Sequence, residues 1–180
     1  MLNQELSDQI LAILFVAKEP VGLVELKGVY PNYSLEDLQT ILDALVSRVD
    51  TMQGAFEIRE VAGGFRITTC AEHHEIIRKY FKTKPSAKLS LAALETLSVI
   101  AYRQPVTLPE IAEIRGVRAT STISTLLKKR LIEIRGRKKV VGRPIMYGTT
   151  KDFLIHFGLK NISELPTLEE LEEILPQSEK

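Results

Sequence analysis

One cysteine, three histidines and no uninterrupted apolar run longer than eight residues mark what this 180-residue chain lacks. Cys70 stands alone, so no internal disulfide can form, and a reducing cytoplasm is the expected setting. His73 and His74 are neighbours, and adjacent helical residues do not share a face. With a single cysteine and no i, i+4 histidine pair, no zinc site is expected. His156 reads as an ordinary satisfied or surface histidine. The longest apolar run, Ile10 to Ala17, is far too short to span a bilayer and follows no basic leader, so neither a membrane segment nor a signal peptide is expected. Gly63-Gly64 lacks the Gly-Lys-Ser/Thr ending of a phosphate loop. No nucleophile, base and oxyanion donor fall into a pattern. The chain therefore reads as non-enzymatic, with no catalytic, cofactor-binding or metal residues.

What is present is a foldable composition, 44% hydrophobic and 26% charged. The net charge of +1 averages three unequal parts. Residues 1–85 carry nine basic and twelve acidic side chains, residues 86–163 fourteen and five, and residues 164–180 one and six. Such asymmetry fits nucleic acid or an acidic protein partner.

The chain also repeats itself. AKEPVGLVELKGVY (Ala17 to Tyr30) superposes on YRQPVTLPEIAEIR (Tyr102 to Arg115) at an offset of 85, with Pro20 on Pro105, Val21 on Val106, Glu25 on Glu110 and Leu26 on Ile111. Each copy follows an apolar helical stretch, precedes an amphipathic one, and ends in two strand-like runs: AFEIRE and FRITT, then LIEIRG and PIMYGT. The order predicts an α+β, mainly helical protein of two tandem winged-helix domains, each a three-helix core with a β-hairpin wing. The expected boundaries are 1–84, 85–163, and an acidic C-terminal helix or tail over 164–180, with KTKPSAK (Lys82 to Lys88) as linker. Local signals agree. Ser34 with Asp37, and Thr167 with Glu170, have capping-box spacing. Ser90 and Asp152 are placed to cap helices, Gly116 and Gly158 to end them, and Gly63-Gly64 to close the first hairpin. AEHHEIIRKYF reads as an extra helix.

Between positions 115 and 143 ten Lys and Arg side chains face Glu133 alone, many of them in the second hairpin. Arg137, Lys138 and Lys139 are candidate DNA contacts, because clustered cations release counterions from a phosphate backbone. The helix that would read bases offers only Thr120, Ser121, Ser124 and Thr125, which discriminate poorly. Two helices carry surplus apolar surface. ILAILFVA is apolar all round, which makes Leu11 and Phe15 candidates for a homodimer interface. SLAALETLSVIAY is similar, and Tyr102 and Arg103 at its end are typical interface anchors. A wide core face packed on the other domain would explain both equally.

Three motifs carry a resemblance: AYRQPVT, GRP-x-x-YGTT, and FGL-x-x-x-x-ELP, all between Leu94 and Pro166. Together they resemble the segregation and condensation protein B family; the first half fits in layout more than in motif. The resemblance implies two winged-helix domains, a homodimer held chiefly by the first domain, and a non-enzymatic subunit of the bacterial SMC condensin complex. It implies binding to the kleisin, segregation and condensation protein A, mostly through the second domain, and to the SMC ATPase through the kleisin. A cytoplasmic, nucleoid-associated role in chromosome condensation and segregation follows, with DNA contact indirect or weak. On this resemblance the kleisin contact is assigned to Tyr102, Arg103, Gln104, Arg143 and Tyr147. Each has a structural alternative: Tyr102 and Tyr147 in the core, Arg143 on a helix-end carbonyl. The wing RGRKKVVGRP is more basic than the family leads one to expect, which keeps a DNA-binding winged-helix protein as the alternative.

Overall fold

The structure, a computed structural model, describes residues 2–82, 89–167 and 169–171. Of the expected linker only Lys82 falls among them, and of the acidic tail only 164–167 and 169–171. The chain divides into two compact units, Met1–Ser86 and Ala87–Lys180, and mixes helices with small antiparallel sheets.

The first unit opens with α1 (Leu2–Val16), which buries Leu6, Ile10 and Leu14 at i, i+4, i+8 spacing. After the Pro20 turn come α2 (Leu23–Val29) and α3 (Leu35–Thr51). Ser34 caps α3 as its sequence predicts. Its hydroxyl accepts from the Asp37 amide at 3.0 Å, and the Asp37 carboxylate accepts from the Ser34 amide at 2.9 Å. That pairing holds the Asp37 carboxyl below the usual carboxylate range. Leu38, Ile41, Leu42, Leu45 and Val49 then face the core. Strands β1 (Phe56–Val61) and β2 (Gly64–Thr69) pair in register, Val61 opposite Gly64, and a 3₁₀ turn leads into α4 (His74–Tyr80).

The hairpin turn differs from its expected position by one residue. Ala62 and Gly63, both at positive φ, form the two-residue loop, and Gly64 begins β2. Gly64 is needed for a different reason. Val21 bridges to Phe65, and a Cβ on Gly64 would lie 2.8 Å from the Val21 carbonyl carbon.

The second unit repeats the order. α5 (Leu91–Arg103) is capped by Ser90, whose hydroxyl accepts from the Ala93 amide at 3.2 Å. A short strand β3 (Val106–Thr107) precedes α6 (Leu108–Arg115), which ends at Gly116 in the left-handed conformation, and α7 (Thr120–Lys128). Strands β4 (Ile132–Arg137) and β5 (Ile145–Thr149) follow, with a bulge between Ile134 and Gly136. β3 joins the other edge of β5, so this sheet has three strands in the order β3-β5-β4 rather than the expected two. α8 (Lys151–Phe157) closes the unit. Its cap is Thr150, whose hydroxyl accepts from the Phe153 amide at 3.1 Å; the expected cap, Asp152, sits inside the first turn, where a carboxylate meets the positive end of the helix dipole.

The repeat is physical. Val21 and Val106, 85 positions apart, both pair with the second hairpin strand, on Phe65 and Tyr147. Glu25 and Glu110 both accept from the backbone N–H three residues earlier, at 2.9 and 2.8 Å. Leu26 and Ile111 are both fully buried. Upstream of Pro20 the offset changes. The buried trio Leu6, Ile10, Leu14 corresponds to Ala93, Leu97, Ala101, an offset of 87, because the first copy has two more residues between helix and proline. Phe15 and Tyr102 each stand one residue after the last of their trio, and Asp8 and Glu95 two residues after the first, though Asp8 pairs with α3 and Glu95 with α6.

Candidate functional site

Each unit leaves an apolar groove open beside its first long helix, walled by the hairpin in the first unit and by α6 and α8 in the second. On the second unit the groove measures about 570 Å³. α5 supplies Leu94, Ser98, Val99, Tyr102 and Arg103, α6 adds Ile114, and α8 adds Phe153 and Phe157. The Phe153 and Phe157 rings meet at 4.8 Å between centroids, with Phe153 buried and Phe157 half exposed. Leu165, Pro166 and Leu171 complete the lining from the chain after α8. The Tyr102 hydroxyl donates to the Pro166 carbonyl at 2.7 Å. This suits a ring that is apolar on its face and polar at its tip.

On the first unit the groove measures about 630 Å³. Asp8, Leu11, Ala12, Phe15 and Val16 of α1 face Phe56 of β1 and Ile67, Thr68 and Thr69 of β2. Leu11 also packs on the core, whereas Phe15 is 78% exposed and Val16 75%. Large aromatic and branched side chains left so bare are an interaction surface by default.

The five residues assigned to the kleisin do not form one patch. Tyr102 and Arg103 share the α5 groove. Gln104 turns toward β5, where its amide oxygen accepts from the Thr149 backbone at 2.6 Å and the Thr149 hydroxyl at 3.0 Å. Tyr147 is buried in the core opposite Val106. Arg143 lies at the wing tip with positive φ, where its carbonyl accepts from Arg137 Nη1 at 3.1 Å. Gly148, not among the expected site residues, makes the Gln104 contact possible. A Cβ there would fall 3.0 Å from the Gln104 amide oxygen and 2.9 Å from Arg135 Cγ.

Three of the ten cations between 115 and 143 pair with carboxylates. Arg115, almost buried, pairs with Glu95 at 2.6 Å and donates to Thr96 Oγ1 at 2.8 Å. Arg135 pairs with Glu133 at 3.0 Å. Lys138 reaches from the wing to Glu110 on α6, and this ammonium, with the Thr107 hydroxyl and amide, lowers the Glu110 carboxyl to about 2. Of the three candidate DNA contacts, Arg137 and Lys138 thus have partners within the unit, and Lys139 is exposed. Thr120, Ser121, Ser124 and Thr125 line the outer side of α7 as expected. Cys70 donates to the Gly54 carbonyl at 3.5 Å. Among the described residues no cluster of His, Cys, Asp and Glu could hold a metal ion, and no helix is long and apolar enough to cross a membrane.

The family model and the curated relatives agree on one family. Residues 8–168 match the family model described as segregation and condensation complex subunit ScpB. The chain is similar to segregation and condensation protein B of Clostridium tetani, 42% identical across 89% of this chain and 84% of the relative. It is also similar to the protein of that name from Desulforamulus reducens, 43% identical across 88% and 87%. A crystal structure of ScpB from Mycobacterium tuberculosis is 29% identical, covers 87% of this chain and 97% of that one, and superposes with a TM-score of 0.42.

Proposed function

The chain belongs to the segregation and condensation complex subunit ScpB family, and on that premise we propose that it is the homodimeric, kleisin-binding subunit of a bacterial SMC complex. It acts without catalysis, in the cytoplasm and on the nucleoid, in chromosome condensation and segregation. Each unit is a winged-helix domain: residues 1–84 dimerise, residues 85–163 bind the kleisin, segregation and condensation protein A, and the SMC ATPase is reached through it. The observation that carries this reading is the pair of apolar grooves left open, one beside α1 and one beside α5. The first, where Leu11 and the bare Phe15 and Val16 face the hairpin, suits a second copy of itself, since a two-fold interface sets like against like. The second adds a phenol and a guanidinium, Tyr102 and Arg103, which give a different partner polar handles. Gln104 and Tyr147 serve by holding the α5–β3 corner and β5 in place, and Arg143 by shaping the wing.

DNA contact through the wing is the second reading, carried by its exposed cations: among the described residues Lys139 pairs with no carboxylate, Arg137 bonds the Arg143 carbonyl, and Lys138 pairs with Glu110 while half exposed. The test is a mixing assay of the purified chain with the kleisin central segment and with duplex DNA at two salt concentrations. Duplex retention that falls steeply at the higher salt is what the DNA reading predicts; the kleisin reading predicts a dimer that retains the kleisin at both. A strict monomer that ignores the kleisin would overturn it.

A further inference from the structure

We propose that α7 and the wing of the second unit form one surface that tracks the phosphate backbone of duplex DNA without reading its sequence. The proposal rests on the second reading above, DNA contact through the wing, and extends that contact to the helix. Ser121, Ser124, Thr125 and Lys128 lie at i, i+3, i+4 and i+7 of α7 and are all exposed, so they share one outward face. Lys129 and Arg130, exposed as well, continue it past the helix end. At the far end of β4 the wing holds Arg137, Lys139 and Arg143, all exposed. Among the described residues none of these six cations pairs with a carboxylate. From Gly116 to Thr150 the sequence has one acid, Glu133, and Arg135 pairs with it.

The spacing and chemistry of this surface select an extended polyanion. β4 has six residues, so it sets the two clusters about 20 Å apart, enough to meet phosphates on both sides of a groove of the duplex. Lys138 ties the wing to Glu110 on α6, which steadies the hairpin against the helices before any partner arrives. A protein partner is held chiefly by aromatic anchors. The outward face of α7 has none, and the bare apolar side chains of the wing, Ile134, Val140 and Val141, are aliphatic. Hydroxyls and cations instead bond phosphate oxygens at any sequence, and Ser and Thr tell bases apart poorly. Affinity then comes from the counterions that the cations release. None of these side chains lines the apolar groove beside α5, so the two surfaces share no residue.

Two double variants of the full chain test this, Lys128→Gln with Lys129→Gln on α7 and Arg137→Gln with Lys139→Gln on the wing. Each is titrated with a fluorescein-labelled duplex of mixed sequence by anisotropy across a salt series, and thermal unfolding verifies that each stays folded. The expected result is affinity weakened roughly tenfold or more at low salt by each pair, with the slope of log affinity against log salt reduced by about 1–2. Unlabelled duplexes of different base composition compete equally, and poly-glutamate competes far less. A loss confined to the wing variant overturns the joint surface and leaves the wing reading standing. An unaltered chain without affinity for the duplex, or a wing variant that loses none, overturns both. A marked preference for one duplex overturns contact through the backbone alone. Poly-glutamate that displaces the duplex as readily as unlabelled DNA overturns the proposal in favour of an acidic protein partner.

Discussion

α1 and α5 begin two copies of one plan and finish them differently. Both bury a trio at the same positions, Leu6, Ile10, Leu14 and Ala93, Leu97, Ala101, and both bare the face beside it. On α1 that face ends in Phe15 and Val16, and the polar groups bordering it are Asp8, Thr68 and Thr69. On α5 it ends in Tyr102 and Arg103, and the chain after α8 returns to border it. Asp8 and Glu95 show the same divergence. Each pairs with an arginine, but Arg48 comes from α3 and is partly exposed, whereas Arg115 comes from α6 and is almost buried. A duplicated fold thus keeps its core and varies the face of its first helix.

The comparison can be broken most severely at its shared core. Leu26→Ala and Ile111→Ala each empty a fully buried site at equivalent positions. Each is expected to cost about 2–5 kcal/mol in denaturant unfolding followed by probes local to its own unit. A large loss in one unit and a negligible one in the other would deny the equivalence. Next comes the face itself. Phe15→Glu puts a charge into the apolar groove of the first unit and is expected to weaken self-association by roughly a hundredfold, read by light scattering over a dilution series. Tyr102→Ala, one residue after the trio of α5, is expected to leave the dimer intact.

A smaller effect separates the two glycines of the first hairpin. Gly64→Ala forces a methyl against the Val21 backbone and is expected to cost about 1–3 kcal/mol. Gly63 has open space around it and only its positive φ to defend, so Gly63→Ala is expected to cost about 1 kcal/mol. The smallest effect belongs to Glu110. Its carboxyl is held at about 2 against an ordinary 4.5, so the pairing with Lys138 stabilises the fold above pH 4.5 and is lost as pH falls toward 2. Lys138→Gln is expected to move the Glu110 carboxyl resonance midpoint upward in an NMR titration. An unmoved midpoint would deny the contact between wing and α6.

What the sequence revealed was mostly local. Ser34 with Asp37, Ser90, Gly116 and Thr167 with Glu170 could be placed because a cap and its partner lie within four residues. The order of elements could be read because the second copy repeats the first. Errors began where tertiary contact chooses between local equals. The turn fell at Ala62-Gly63 because Gly64 must pass close to Val21, and α8 took Thr150 as its cap over Asp152 two residues on. Features joined across long separations gave no sequence signal. β3 on β5, Gln104 on Thr149 45 residues away, Lys138 on Glu110, and Tyr102 on Pro166 all belong here. Of the site, Leu11, Phe15, Tyr102 and Arg103 were legible as surplus on apolar helices. The walls facing them were not, because the hairpin, α8 and the chain after it meet those helices only in the folded chain.

The division of labour between the two faces is tested most directly by the mass of the Tyr102→Ala chain mixed with the kleisin central segment, read by size-exclusion chromatography with light scattering. The account predicts a dimer that elutes without kleisin, where the unaltered dimer carries it. A Tyr102→Ala dimer that retains the kleisin as the unaltered chain does would contradict it.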